Sequence, residues 1–212
     1  MPFVTVGTVP QRNPTPTIAS SSTTGSGQPK RRTGLERKEH MMDKAKGLAA
    51  LRILLGAGFL YAGLEKVLDF AGSGKAFTAA GFLKFGTNGS LPGSDAKAIV
   101  NPTHDLWVSL AGNPGLISVI NSLVVIGEVA IGVALILGIA TRFAGVMGAL
   151  LMGFITIAAW SFAFGPVNET MLYTAVALYL AYAQAGLAYG LDAIIEKTEI
   201  VTHRPALHYL LG

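Results

Sequence analysis

Four apolar runs dominate the chain, at Gly47 to Phe70, Leu116 to Ile139, Phe143 to Phe164 and Met171 to Tyr189. A helix needs about 20 residues at 1.5 Å rise to cross a hydrocarbon layer of about 30 Å, and each run is near or above that length. The breaks are "GNPG" ahead of the second run, "TR" between the second and third, and "GPVNET" ahead of the fourth. The last two links are tight, so neighbouring helices must run in opposite directions. The pattern predicts an all-α, polytopic membrane protein: an antiparallel bundle of four transmembrane helices with a long external loop between helices 1 and 2.

Three segments lie outside the runs. Residues 1–42, with "NPTPTIASSSTTGSGQPKRRTGLERKEH", are rich in Ser, Thr and Pro and then basic, and read as a flexible tail that orders only along another subunit. No apolar core follows a short basic leader there, so a cleavable signal peptide is not expected. The transmembrane domain is expected over residues 43–190, with the external loop at 71–114 and a cytoplasmic segment at 191–212. Within the loop, "AFTAAGFLKFG" and "HDLWVSLAG" carry apolar residues at helical spacing and aromatics suited to the membrane interface. Such a loop reads either as a lid over a pocket or as a cap that shields helix ends.

Composition and charge sharpen this. Apolar residues make up 51% of the chain and charged residues 13%, a balance that makes the lipid bilayer its solvent. Without cysteine, disulfides, thiol relays, iron–sulfur clusters and cysteine-ligated metals are excluded. Basic residues set the orientation. With the N-terminus inside, Lys30, Arg31, Arg32, Arg37, Lys38, Lys44, Lys46, Arg142, Lys197 and Arg204 are cytoplasmic, and only Lys75, Lys84 and Lys97 are external. Both termini are then cytoplasmic in a multi-pass protein of the cell membrane. No nucleic-acid partner is expected.

Ionisable groups inside the spans need a partner or a purpose. On the first helix, 100° per residue aligns Arg52, Gly56, Phe59, Gly63, Lys66 and Phe70 on one face, and puts Glu65 with Asp69 on another. Lys66 is expected toward the interior, against Glu128 or Glu169, and Glu65 toward the outer loop. Arg52 and Lys66 also lie near helix ends, where snorkelling competes. Arg142 reads as an orientation anchor, and Glu169 as a favourable charge at a helix start. Glu128 is harder to place, roughly 18 Å from Leu116 by helix rise. It is expected inside the bundle, on Arg52, Lys66 or Tyr173, beside a stripe of Gly127, Ala130, Ala134 and Gly138 that lets another helix approach. A structural pair and a proton- or ligand-handling role both stay open for it.

"RILLGAGFLYAGLEKVLDF", "GEVAIGVALILGIATR", "GPVNETMLYTAVALYL" and "GLAYGLDAIIEK" resemble, in order, the signatures of the DoxX/DoxD family of four-helix membrane proteins. Positions that match the family pattern are Arg52, Gly63, Lys66, Gly127, Glu128, Gly132, Gly138, Arg142, Asn168 and Asp192. The resemblance implies the membrane subunit of a respiratory or sulfur-compound oxidoreductase, of the thiosulfate:quinone type, that interacts with quinone and with other membrane subunits. Its alternative is a non-catalytic accessory subunit that stabilises a larger respiratory complex.

The residues themselves narrow the chemistry. His40, His104, His203 and His208 all lie outside the apolar runs, so neither haem nor copper is expected in the bundle, and no metal or covalent cofactor is expected. A quinone needs an apolar slot, donors for two carbonyls and a proton route. Arg52, Tyr61, Lys66 and Trp160 are candidate donors, Glu65, Glu128 and Glu169 candidate acids, and Glu128 the candidate catalytic group. A carrier for a small apolar solute is a weaker option, because no span is broken.

Overall fold

The computed structural model describes residues 34–88, 101–160, 167–198 and 210–211, and among them it is all-helical. Helix α1 spans Gly34–Ser73, α2 His104–Gly112, α3 Pro114–Leu137, α4 Thr141–Ala158, α5 Glu169–Tyr182 and α6 Asp192–Ile195. Three of them, α1, α3 and α4, are long and apolar enough to cross a membrane. The fourth run yields a helix of 14 residues, shorter than its apolar stretch, because Gln184 turns left-handed and a short 3-10 turn, Ala185–Leu187, follows. Most of the expected tail, residues 1–33, lies outside the described residues. Its last part is helix instead: α1 starts at Gly34, since no glycine or proline interrupts the stretch up to Lys46 and the span behind it supplies a nucleus.

Contacts between helices run in opposite order along each pair. Gly56 of α1 meets Gly132 and Leu135 of α3, while Gly63 meets Glu128 and Val129. On α4 and α5, Gly145 meets Ala177 and Ala181, while Thr156 bonds Thr170 at 2.9 Å. The core of Leu55, Phe59, Ile131, Leu135, Ala144, Ala149, Ala177 and Leu180 lies between them. The end with Arg52 and the α3–α4 turn is termed the Arg52 end, and the other the cap end.

At the cap end, a π-helical turn, Phe82–Gly86, and α2 lie within the two segments whose spacing predicted helix. They bury Ala79, Leu83, Trp107 and Ala111 against Ala158 of α4. The cap is tied down by polar groups: Asn121 accepts from the Ala79 N–H at 2.8 Å, and the Asn101 amide donates to the carbonyls of Ile157 and Ala158 at 3.0 and 2.8 Å. Those carbonyls are orphans of the last turn of α4, so Asn101 caps a helix end from a distant segment.

The small-residue face of α3 differs from the expected one. Gly127 meets open space and Ala130 is exposed, whereas Ala134 packs on the core, Gly138 approaches the Gly190 backbone and Gly132 carries the close approach of α1. Neighbours of Glu128 on its own helix face sit three, four and seven residues on, at Ile131, Gly132 and Leu135, and not at the adjacent positions. A Cβ on Gly132 falls 2.5 Å from the Leu60 nitrogen and 2.8 Å from its Cα, backbone atoms that cannot rotate away. Gly132→Ala is therefore expected to cost about 1–3 kcal/mol by forcing α1 from α3, and Gly127→Ala almost nothing. Unfolding of the two variants across an SDS titration checks this.

Candidate functional site

Lys66 and Glu128 meet in the interior. The Lys66 ammonium donates to both carboxylate oxygens of Glu128, at 2.8 and 3.1 Å, and to the Ala62 carbonyl at 3.1 Å. Side-chain exposure is 20% for Lys66 and 5% for Glu128, so this is a buried ion pair, not a snorkelling lysine. Gly63 makes the meeting possible: its missing side chain lets α1 lie on the backbone of Val129, one residue from the acid. Phe77, from the chain just after α1, covers the ammonium at 5.2 Å from the ring centroid, and the same residue packs on the cap cluster. The cap thus closes over the pair.

Beside the pair, α1, α4 and α5 leave an apolar groove of about 200 Å³, lined by Leu54, Leu55, Gly58, Phe59, Ala62, Met152 and Tyr173. Its end at Ala62 is the residue whose carbonyl holds Lys66, so the ion pair sits one helical turn beyond it. Lys66 and Glu128 do not line the groove. Tyr173 lines the groove and is not the partner of Glu128.

Arg52 belongs to a different site. It is 1% exposed and bonds no acid of α3; Nη1 donates to the Ala185 carbonyl at 2.8 Å and the Ala188 carbonyl at 3.4 Å, and Nη2 to the Tyr189 carbonyl at 3.5 Å. Asp192 supplies the nearby negative charge. The Asp192 carboxylate also accepts from the N–H groups of Ala140 and Thr141, at 2.7 and 2.9 Å, at the start of α4. Gly138 and Gly190 line the guanidinium, which no side chain there leaves room for. Ala140 and Tyr189 are held left-handed on either side, at φ 47° and 56°. Such backbone persists only where its surroundings over-determine it. Two buried atoms, Arg52 Nε and Thr141 Oγ1, find no partner among the described residues.

Several expected residues fall elsewhere. Tyr61 is 72% exposed and points away from groove and pair. Glu65 is exposed too, on the opposite side of α1 from Gly63, and forms no hydrogen bond or ion pair among the described residues; residues 89–100 of the outer loop lie outside them. Phe70, placed on the inner face, is 56% exposed. Trp160 is half-buried just after α4, and Glu169 is exposed at the start of α5, where Asn168 provides the cap by accepting from the Met171 N–H at 2.9 Å. Asp192 and Phe77 have central roles that residue spacing did not assign. Both carried a signal without a role: Asp192 as a position matching the family pattern, and Phe77 as an aromatic of the outer-loop segment "AFTAAGFLKFG". No group of three or more metal-ligating side chains occurs among the described residues.

The DoxX family model matches residues 47–165, which include Arg52, Lys66 and Glu128 and stop short of Tyr173 and Asp192. No curated protein and no solved structure matches the chain.

Proposed function

The chain belongs to the DoxX family and is a multi-pass membrane protein, and on that premise we propose that it is the membrane subunit of a quinone-linked oxidoreductase, with the quinone ring in the groove of α1, α4 and α5. The observation that carries this is the groove itself: apolar, lined by Phe59 and Met152, and ending one turn from a buried Lys–Glu pair. At about 200 Å³ it is smaller than the usual ligand pocket, and takes one ring while the isoprenoid tail runs along the lipid-facing surface. Tyr173 then donates to a ring carbonyl. Reduction to quinol takes two electrons, which a partner subunit supplies, and two protons: the Lys66 ammonium, held on the Glu128 carboxylate, passes them one at a time and is reprotonated from water after each.

In this reading α5 is the fourth span. Together with the turn after it, α5 carries the chain from Thr170, at the cap end, to Ala185, beside Arg52. The bundle is then four antiparallel helices in the cell membrane, with the Arg52 end and both termini cytoplasmic.

The test is quinone content after gentle purification from native membranes. About one quinone per chain is expected, and Gly58→Phe, which fills the groove from a position with no atom near its side, is expected to lower it about tenfold or more with folded protein unchanged. Tyr173→Phe is expected to weaken quinone binding about tenfold through the lost donor. Quinone-free wild-type protein sinks the reading. A second reading, a non-catalytic accessory subunit, is favoured by one observation: Glu128 and Asp192, the two buried acids among the described residues, are both already engaged by groups of this chain. A stoichiometric respiratory complex without quinone on this chain supports it.

A further inference from the structure

We infer that the side of α1 turned away from the bundle is a docking surface for a transmembrane helix of another protein that carries Lys or Arg at the depth of Glu65. Tyr61, Glu65 and Leu68 follow one another at spacings of four and three, which makes them one stripe. Tyr61 is 72% and Leu68 65% exposed, Glu65 is exposed between them, and a side chain added at Gly72, the next position on the stripe, meets nothing within 4 Å. Gly56 and Gly63, which touch α3, lie on the opposite side.

Depth turns this from an ordinary lipid-facing surface into an incomplete one. Glu65 is eight residues before the end of α1 at Ser73, about 12 Å by helix rise. Side chains on a helix lean toward its N-terminus, here away from the cap end, so Glu65 leans deeper rather than toward the nearer surface. A short carboxylate at that depth needs a cation or a donor. Among the described residues this chain offers none: Lys66 is held by Glu128, Arg52 lies at the far end, and Lys75 and Lys84 follow the end of α1. A second copy presenting the same stripe brings another carboxylate, which repels the first. The complementary surface is a foreign helix with a basic side chain and room for the Tyr61 ring. The inference does not rest on the quinone reading, since this stripe is separate from the residues that line the groove.

The absence of cysteine makes the test clean, because Tyr61→Cys and Leu68→Cys each create a unique thiol. Each variant is labelled in native membranes with a thiol-reactive benzophenone and illuminated, with Val146→Cys, 41% exposed on α4, marking an unrelated lipid-facing position. The expected product at positions 61 and 68, absent at 146, is an adduct whose linked peptide lies in another protein's transmembrane helix, with Lys or Arg within one turn of the attachment. Adding Glu65→Gln is expected to reduce that adduct about tenfold or more while folded protein stays constant. Adducts only to lipid, to a second copy or to residues 89–100 of the same chain overturn the inference. So does a partner helix with no basic residue, or an adduct that Glu65→Gln leaves undiminished.

Discussion

Replacing Glu128 by Gln is expected to remove most of the folded protein from the membrane. The substitution keeps size and shape but takes away the charge that neutralises Lys66, whose side chain is only 20% exposed. The ammonium then keeps only uncharged partners: the amide oxygen at position 128, the Ala62 carbonyl and the Phe77 ring. Breaking a buried pair by removing one partner costs about 3–5 kcal/mol, against a total stability of about 5–15 kcal/mol for an ordinary domain. Replacing both members is different, because an apolar pair of similar volume is neutral or stabilising. Lys66→Met with Glu128→Leu is expected to recover most of the folded protein, read as the monodisperse fraction after detergent extraction and as the midpoint of SDS unfolding. If the pair also feeds protons to quinone, the double variant folds while quinone-linked turnover stays low. Unchanged stability in Glu128→Gln alone would mean that another group of the bundle compensates Lys66.

The second large effect is expected at Arg52. Its guanidinium spans three carbonyls of residues 185–189 and faces Asp192, so Arg52→Met releases four acceptors at once. We expect a loss of about 3–5 kcal/mol, concentrated in residues 185–198, with the α1–α3 contact at Gly132 intact. Arg52→Lys keeps the charge but not the fork, and is expected to cost about 1–3 kcal/mol. Asp192→Ala strips the first N–H groups of α4 of both their acceptors as well, and is expected to rival Arg52→Met. Hydrogen exchange followed by residue distinguishes these outcomes from global unfolding. Unchanged protection of residues 185–198 in Arg52→Met would show that their own turns hold them.

Depth and angle made some of this legible in the sequence. An acid 12 residues past Leu116, and a lysine on the same face of α1 as two glycines, had few places to go, and the structure pairs them. The span of α3 was legible to within two residues, since Asn113 and Pro114 mark its start and Gly138 its end. What stayed hidden depends on chain reversal. Depth offers Arg52 only acids within the spans, yet its partners come from the segment after α5, whose left-handed turns at Gln184 and Tyr189 no periodicity announces. On the α3 stripe Ala134 and Gly138 pack inward but Gly127 and Ala130 do not, because Glu128 shares its face with Ile131, Gly132 and Leu135. The 100° between Glu65 and Lys66 gives them different neighbours, but angle does not say which neighbour lies on the Glu65 side.

The partners of Arg52 lie far along the chain, the nearest of them 133 residues later. Synthesis proceeds from the N-terminus at about 5–20 residues per second, so a newly inserted α1 waits roughly 7 to 27 s before Ala185 exists to receive the guanidinium. During that interval the arginine has only water, lipid phosphate or a chaperone to bind. The guanidinium therefore gains these partners only once residues 185–192 have been made, so the Arg52 end of the bundle is the last part of the fold to close.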